Sequence, residues 1–294
     1  MQPRDAVIVG YMRSPVGRYA GALSPLRPDS LAAHVLRALV DRTGIDPADV
    51  DDVILGCANQ AGEDNRNVAR MALLLADFPV DVPGQTINRL CGSGLQALNS
   101  AAQAIWGRQG DLFVAGGVES MSRAPVVMLK AEQAFPRGVP DMADSTLGWR
   151  FPHPDLVADG HTASLGETAE NVAERRGVSR QDQDEFALLS QHKAGRAMQE
   201  GRLAEEIVAT PVPARKGEAI TVDQDEHPRP GTTREALAKL RPAFAKDGSV
   251  TAGNSSGIND GAAMLLVTSA ERARDLGLEP LARVVSTAVA GVRP

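Results

Sequence analysis

Cys91 lies in the segment INRLCGSGLQALNSAAQAI, residues 87–105, in a sequence setting typical of a nucleophile. Cys91 follows a short apolar run that predicts a strand and precedes a run of small residues that predicts a helix. A thiol attacks as its thiolate, and a helix N-terminus favours an anion through its unpaired N–H groups and its dipole. Gly92 and Gly94 would let a second molecule approach the backbone, where N–H groups can stabilise an oxyanion. The pattern indicates covalent catalysis through sulfur.

The local sequence leaves a second interpretation of Cys91 open. Free cysteine is among the most buried residue types, so Cys91 fits a core position beside a tight turn equally well. The other cysteine, Cys57, ends a buried apolar run and is predicted to be a structural core residue. Neither cysteine has the Cys or His spacing of a zinc site, so no metal site is predicted.

Two familiar motifs are excluded around Cys91. A hydrolase nucleophile elbow needs glycine two residues before and two after the nucleophile, where this chain has Arg89 and Ser93. The sequence contains neither a GxxxxGK[ST] loop nor a GxGxxG segment that follows a strand. A nucleotide site of either kind is therefore not predicted.

The elements around Cys91 predict an α/β layered domain. Over the first 120 residues, apolar runs alternate with helical patterns, at 6–10, 30–44, 51–58, 67–77, 84–90, 92–107 and 111–117. This alternation is typical of βαβ units around a largely parallel sheet. The small residues of 92–107 would allow that helix to be buried on all sides.

A long insertion is predicted from 124 to 248, where the chain turns Pro-rich and polar. It contains a helix at 166–177 and another that begins at Ser179, with Asp182 completing a capping box, and stops at Gly201. Strand character returns in 249–269, where AAMLLV is expected to rejoin the first sheet. A helix at 270–277 and an apolar strand at 281–291 follow.

Composition excludes several classes of function. The net charge of −6 is spread along the chain without a cluster of Lys and Arg, so a nucleic-acid partner is not expected. No run approaches the roughly 18 apolar residues of a membrane helix, and two cysteines make no disulfide framework. We expect a soluble protein of the cytoplasm without a membrane partner.

Several segments together resemble the thiolases, and the resemblance extends over essentially the whole chain. The first is INRLCGSGLQAL, which is similar to the acyl-enzyme segment of that family with Cys91 as its nucleophile. Further segments follow in the family's order: AGGVESMSRAP (115–125), GETAENVA (166–173), DEHPRPGTT (225–233) and VTAGNSSGINDGAA (250–263). Such ordered agreement favours the nucleophile interpretation of Cys91.

The resemblance implies a fold of two similar layered αβα halves, with a loop domain inserted in the first. Applied to this chain, it places the N-terminal α/β domain at 1–123 plus 249–273 and the inserted loop domain at 124–248. Residues 274–294 would begin the C-terminal domain, so the second thiolase half would be largely missing.

The resemblance also implies the reaction and the ligand. Thiolases cleave a 3-oxoacyl-CoA or catalyse the reverse, with coenzyme A as a substrate, acyl-CoA as the partner molecule and no tightly bound cofactor. By motif position, Arg229 would lie near the CoA nucleotide, and Ala252 and Ser256 along the pantetheine arm. Some thiolases carry a CoA-contacting histidine just before the 166–173 helix, where this chain has Ser164. His161, three residues before Ser164, is better explained as an ordinary loop histidine than as a substitute for that CoA-contacting histidine. A homodimer or homotetramer is implied for the complete enzyme.

Two segments narrow the substrate by resemblance. DDVILGCANQAGEDNRNVARM and DSTLGWRF are similar to the branch that cleaves 3-oxoadipyl-CoA to succinyl-CoA and acetyl-CoA in aromatic degradation. We hypothesise that Arg150 binds the distal carboxylate of this substrate, with a surface ion pair as the alternative role. Acetoacetyl-CoA, the substrate of an acetyl-CoA C-acetyltransferase, is the alternative substrate.

Three family segments are not found in this sequence. Thiolases carry an Asn-Glu-Ala-Phe segment, a Gly-His-Pro segment and a second cysteine segment, which supply the activating histidine, oxyanion donors and an acid/base cysteine. The five histidines here have other contexts. We therefore expect this chain to be inactive alone. The rival hypothesis is a non-catalytic subunit that binds CoA or serves assembly.

Overall fold

A computed structural model describes residues 1–214 and 217–292, which form two compact units. The first unit comprises Met1–Arg123, Glu206–Glu226 and the described chain from Asn259 onward. The second comprises Ala124–Glu205 and His227–Ile258. The candidate nucleophile Cys91 therefore lies in the first unit.

Eleven strands and eight helices are described. The strands are β1 (Ala6–Arg13), β2 (Gly17–Arg18), β3 (Asp52–Gly56), β4 (Gly84–Ile87), β5 (Leu112–Ser120), β6 (Val126–Met128), β7 (Met142–Asp144), β8 (Thr210–Val212), β9 (Ile220–Val222), β10 (Asn259–Ser269) and β11 (Ala282–Arg283). The helices are α1 (Pro28–Thr43), α2 (Val68–Leu75), α3 (Ser93–Trp106), α4 (Pro154–Ala158), α5 (Leu165–Arg176), α6 (Arg180–Gln199), α7 (Arg234–Ala238) and α8 (Ala270–Asp275). Among the described residues, one 3-10 turn is present, at Pro47–Asp49.

The first unit is built on one mixed sheet with the strand order β11-β1-β10-β5-β3-β4, and β2 pairs with β10. β3 runs parallel to β4 and β5, whereas β10 runs antiparallel to β1 and β5. The expectation of a largely parallel sheet is wrong for this half, because β10 enters the sheet without a βαβ crossover. The expectation that AAMLLV rejoins the first sheet is confirmed, since β10 contains it.

Helices cover both faces of this sheet, and the strand residues alternate between them. Val53 and Leu55 pack with α1 and α2, whereas Ile54 between them packs with α3. This alternation is the ordinary period of a β-strand, and burial on both faces explains the continuous apolar run of β3. The α/β fold class with αβα layering is confirmed.

Helix α3 is buried on one side only. Ala97, Ala101 and Ile105 are fully buried against the sheet, while Leu95 is 66% exposed on another side of the helix. The expectation that this helix is buried on all sides is therefore wrong for the described residues. Its small residues serve close packing on one face.

In the second unit, helices α5 and α6 each begin with a capping box. In α5 the Ser164 hydroxyl accepts from the N–H of Glu167, whose carboxylate accepts from the N–H of Ser164. Ser179 and Asp182 form the same reciprocal pair at the start of α6, which confirms the capping box expected there. Such pairs satisfy N–H groups that a helix start leaves without partners. β6 and β7 form a separate two-stranded sheet.

The bounds of the units differ from the expected domain bounds. The described residues of 206–226 belong to the first unit, because Arg13 binds the carboxylates of Glu206 and Asp225 there. Residues 249–258 belong to the second unit, because Glu170 holds their first N–H groups. Contacts between segments distant in sequence, from backbone as well as side chains, decide both cases.

The end of the described chain also differs from expectation. Residues 281–291 were expected to form a strand, but β11 covers Ala282–Arg283 alone and pairs with β1. The described part of 274–292 belongs to the first unit and forms no separate unit. The apolar pattern of a strand is present, but only its first residues find a partner strand.

Candidate functional site

Cys91 lies on the short turn that joins β4 to α3. The side chain of Asn88 fixes this turn, because its Oδ1 accepts the N–H of Leu90 at 2.9 Å. Leu90 has a φ of 48°, the left-handed region that non-glycine residues enter at a cost. Cys91 comes next and its thiol side chain is exposed. The turn thus presents the cysteine to solvent at the start of the helix.

Ser93, the first residue of α3, braces the same turn. Its hydroxyl oxygen accepts the N–H of Arg89 at 2.8 Å, and the hydroxyl donates to the carbonyl of Leu90 at 2.6 Å. Ser93 is buried, so these bonds are partly shielded from water. The family segment therefore contains a serine whose role is to hold the turn.

Glycines under the helix start allow it to approach the sheet closely. A Cβ on Gly56, the last residue of β3, would lie 2.4 Å from the carbonyl carbon of Ser93 and 2.5 Å from the nitrogen of Gly94. Side-chain atoms do not tolerate such distances, so only glycine fits there. The position of Cys91 is thus set by backbone packed directly against backbone.

The N-terminus of α3 is partly open to a ligand, since the N–H groups of Gly92 and Ser93 already donate to the carbonyls of Arg89 and Leu90, each at 3.0 Å. The N-cap residue is Gly92, no side-chain bond caps the helix, and the first turn contains no acidic residue. The first N–H groups of a helix lack partners within it, and the dipole there favours negative charge. This arrangement can stabilise a thiolate or an oxyanion beside Cys91.

Cys57 has the opposite environment. It is buried, and its thiol donates to the Asp64 carboxylate at 3.6 Å. Burial, and next the neighbouring carboxylates of Glu119 and Asp64, raise the pKa of the Cys57 thiol. Cys57 is therefore held as the neutral thiol, the form that does not attack.

The same three residues form a group that the sequence did not suggest. Ligand atoms of Cys57, Asp64 and Glu119 lie within 4.8 Å of one another. Glu119 accepts the N–H groups of Ala58 and Asn59 at 2.8 and 3.2 Å, and Asp64 accepts that of Gly62 at 3.0 Å. These bonds use the carboxylates to hold the loop that follows β3. Glu119 is far in sequence from Cys57 and Asp64, so no spacing pattern in the sequence indicated this group.

Arg229 lies in the second unit, in the DEHPRPG segment. Its side chain is exposed, while its backbone N–H donates to Gln191 of α6 at 2.6 Å. The hydroxyl of Thr232 donates to the Arg229 carbonyl at 2.7 Å. The backbone is thus fixed and the guanidinium is left to the solvent side, where it can meet an anionic group.

Ala252 and Ser256 are exposed on a loop that the second unit holds from several directions. The Asn254 carboxamide accepts the N–H of Thr251 at 2.7 Å and donates to Asp184 at 3.0 Å. Thr251 is buried and anchors the loop. An exposed but fixed loop of this kind can line a ligand.

Glu170 of α5 fixes the beginning of that loop. Burial opposes its ionisation, but hydrogen bonds from the N–H groups of Ser249 and Val250 and from the Ser249 hydroxyl outweigh burial and lower its pKa. The ionised form is the one that these donors stabilise. Sequence reasoning assigned no role to Glu170, although it lies in the GETAENVA segment.

His227 packs against the end of the loop. A Cβ on Gly257 would lie 2.0 Å from the Cε1 atom of His227, and Nε2 of the ring is 3.4 Å from the Ile258 carbonyl. The two segments DEHPRPG and TAGNSSG therefore meet at this imidazole. The segments that contain Arg229 and Ser256 are therefore in contact within the second unit.

Two further residues from the sequence analysis also lie in the second unit. Arg150 is half-buried. The backbone N–H of His161 donates to the Leu156 carbonyl at 2.9 Å, just after α4.

No helix in the described parts of the chain is long and apolar enough to cross a membrane.

Comparisons with known proteins agree on one family. A family model described as "Thiolase, N-terminal domain" matches residues 6–271. The chain is 56% identical to the 3-oxoadipyl-CoA/3-oxo-5,6-dehydrosuberyl-CoA thiolase of Escherichia coli K12, over 99% of this chain and 73% of that protein. It is 54% identical to the beta-ketoadipyl-CoA thiolase of Pseudomonas aeruginosa, over 99% and 72%. The crystal structure of the Bacillus anthracis acetyl-CoA acetyltransferase superposes with a TM-score of 0.90 at 42% identity, over 98% of this chain and 71% of that one.

Proposed function

The chain belongs to the thiolase family, and from this premise we propose that it transfers acyl groups to coenzyme A through a thioester on Cys91. The observation that carries the proposal is the exposed thiol of Cys91 beside the uncapped N-terminus of α3. Cys57, the other cysteine, is buried and held neutral by its surroundings. Only Cys91 is thus both accessible and placed where an anion is favoured.

The reaction divides into two steps. The Cys91 thiolate attacks the 3-oxo carbon of a 3-oxoacyl-CoA, and the bond between carbons 2 and 3 breaks. Acetyl-CoA leaves as its enolate and takes a proton. The thiolate of free CoA then attacks the thioester carbonyl, which releases the new acyl-CoA and restores Cys91. The open N–H groups of α3 would stabilise an oxyanion during these steps.

Coenzyme A is the proposed ligand of the second unit. The exposed guanidinium of Arg229 suits the phosphates of its nucleotide, because a planar fork of donors matches phosphate oxygens. Ala252 and Ser256 lie on a fixed and exposed loop, which suits the extended pantetheine arm. CoA acts here as a substrate, without a tightly bound cofactor.

We propose 3-oxoadipyl-CoA as the substrate, cleaved to succinyl-CoA and acetyl-CoA in aromatic degradation. The names of the two curated relatives support this choice. Arg150 is the residue proposed to bind the distal carboxylate. Acetoacetyl-CoA is the second candidate, favoured by the name of the Bacillus anthracis structure. We also propose a cytoplasmic location and a homodimer or homotetramer.

We further propose that this chain alone is inactive in multiple turnover. A thiolase cysteine needs a base, and His34 is the one histidine in the sequence of the first unit. Its Nε2 lies 3.0 Å from the Ala209 carbonyl. Among the described residues of that unit, no histidine is hydrogen-bonded to Cys91. Acylation would then depend on the helix environment and proceed slowly.

A single-turnover experiment tests the function and the substrate together. The protein, in excess, is incubated with 3-oxoadipyl-CoA or acetoacetyl-CoA, and acetyl-CoA is measured by chromatography over time. We expect faster formation from 3-oxoadipyl-CoA and none with Cys91→Ser. A preference for acetoacetyl-CoA would support the acetyltransferase alternative. CoA binding without consumption of either substrate would support the non-catalytic subunit instead.

The role of Arg150 is tested in the same assay. We expect Arg150→Ala to slow the acylation of Cys91 by 3-oxoadipyl-CoA and to leave its acylation by acetoacetyl-CoA unchanged, because only 3-oxoadipyl-CoA carries a distal carboxylate. Arg137→Ala, an exposed arginine of the same unit, is the matched control. Equal rates with 3-oxoadipyl-CoA before and after Arg150→Ala would refute the assignment.

A further inference from the structure

We propose that Glu119 is a positioning residue for Cys91, acting through Ala58 and Asn88 to fix the turn that presents the thiol. The proposal rests on the proposed function, because it takes Cys91 as the nucleophile. Glu119 lies on β5, in the ESMS part of the AGGVESMSRAP segment, and the family resemblance assigned it no role. A chain of hydrogen bonds within the first unit connects it to the turn.

The first step of the chain joins β5 to the loop after β3. The two carboxylate oxygens of Glu119 accept one backbone N–H each, from Ala58 at 2.8 Å and from Asn59 at 3.2 Å. Bonds to a charged acceptor are stronger than neutral ones, and two of them fix both position and orientation. Residues 58 and 59 are thereby held at one place relative to the sheet.

The second step joins that loop to the turn. The carbonyl of Ala58 accepts a hydrogen bond from the Asn88 Nδ2 at 2.8 Å, and Asn88 Oδ1 accepts the N–H of Leu90 at 2.9 Å. The amide group of Asn88 is therefore fixed from both of its ends. Its orientation depends on Ala58, whose own position depends on Glu119.

The third step is the backbone of Leu90. A left-handed conformation in a leucine is unfavourable and persists only where the surroundings hold it. The bond from Leu90 to Asn88 is one such restraint, and the Ser93 hydroxyl on the Leu90 carbonyl is another. Loss of the Glu119 restraint lets the turn relax, and Cys91, the next residue, moves away from the N–H groups of α3.

The test measures the reactivity of Cys91 directly, so that it needs no turnover. The rate of iodoacetamide labelling at Cys91 is followed by peptide mass spectrometry across a pH series, well below the unfolding temperature. We expect Glu119→Gln to slow labelling about tenfold, the scale of one lost hydrogen bond to a charged group. Asn88→Ala should slow labelling by less, because its two hydrogen bonds are neutral and exposed.

A double variant separates positioning from general stability. If Glu119 acts through Asn88, Glu119→Gln combined with Asn88→Ala will label no more slowly than the slower single variant. Glu226→Gln is the matched control, since that carboxylate also holds two backbone N–H groups, of Arg18 and Ala22, at 3.1 and 3.0 Å. Its Cys91 labelling should equal that of the wild type.

Two results would overturn the inference. One is wild-type labelling in folded Glu119→Gln, and the other is a double variant slowed by the product of the two single effects. Glu119→Asp, which keeps the charge on a shorter side chain, serves if Glu119→Gln does not fold, and it should show intermediate labelling. If Glu119→Gln and Asn88→Ala slow the labelling of Cys91 as expected but no acyl group is transferred to Cys91, the proposed function is refuted and this inference stands.

Discussion

Gly56→Ala is a sensitive probe of how α3 presents Cys91. The new Cβ would lie 2.4 Å from the Ser93 carbonyl carbon and 2.5 Å from the Gly94 nitrogen, while ordinary contact begins at 3.4 Å. The helix start must therefore move by about 1 Å. β3 is hydrogen-bonded to β4 on one side and to β5 on the other, so it resists a compensating shift. The contacted atoms are backbone, which no rotamer change can remove.

The expected effects follow from that displacement. Overpacking of this kind destabilises by about 1–3 kcal/mol, measurable as a lower urea midpoint with an unchanged slope. A displacement of about 1 Å at a reacting group can cost on the order of a hundredfold in rate. We expect a loss of that order in the acylation of Cys91, followed under single-turnover conditions with folded protein.

Gly94→Ala is the matched control for this variant. Its Cβ would lie 3.8 Å from the Gly116 carbonyl oxygen, an ordinary contact, and alanine is the better helix former. Its stability should equal or exceed that of the wild type. Unchanged stability and unchanged acylation in Gly56→Ala would refute the argument that backbone contact with β3 sets the position of the helix.

Three further predictions concern single contacts. Ser93→Ala removes both bonds that brace the turn and should lower stability by about 1–3 kcal/mol in urea unfolding. The pKa of Glu170 is lowered in the folded state, so its stabilisation is present above the ordinary carboxyl pKa of about 4.3 and is lost as pH falls below it. Glu170→Gln should therefore flatten the acid side of a plot of urea midpoint against pH, and an unchanged slope would contradict this. Gly257→Ala should weaken CoA binding in calorimetric titration, because the new Cβ meets the His227 ring, and His227→Ala should restore binding in that background.

Local patterns predicted the elements around the site well. The reciprocal pair of Ser179 and Asp182 needs only three residues of spacing, and the structure forms it. The run of small residues after Cys91 forms α3 close to its predicted bounds. Such features are decided within a few residues of the chain, where spacing carries the whole signal.

Contacts between distant segments were not predictable in the same way. Glu119 is 61 residues from Ala58, and no spacing rule connects a carboxylate on one strand with the loop that follows another. The same holds for Arg13 with Asp225, which places 206–226 in the first unit. The exposure of Leu95 was missed because apolar character alone does not say which face of a helix meets the sheet.

The location of a trapped acyl group tests the central claim most directly. The protein is incubated with 3-oxoadipyl-CoA for an extended time, quenched in acid, digested and analysed by mass spectrometry for thioesters. The account predicts a succinyl thioester on the Cys91 peptide, none on the Cys57 peptide, and its disappearance in Cys91→Ser. An acyl group on Cys57, one that persists in Cys91→Ser, or no adduct at all would contradict the claim that Cys91 is the nucleophile.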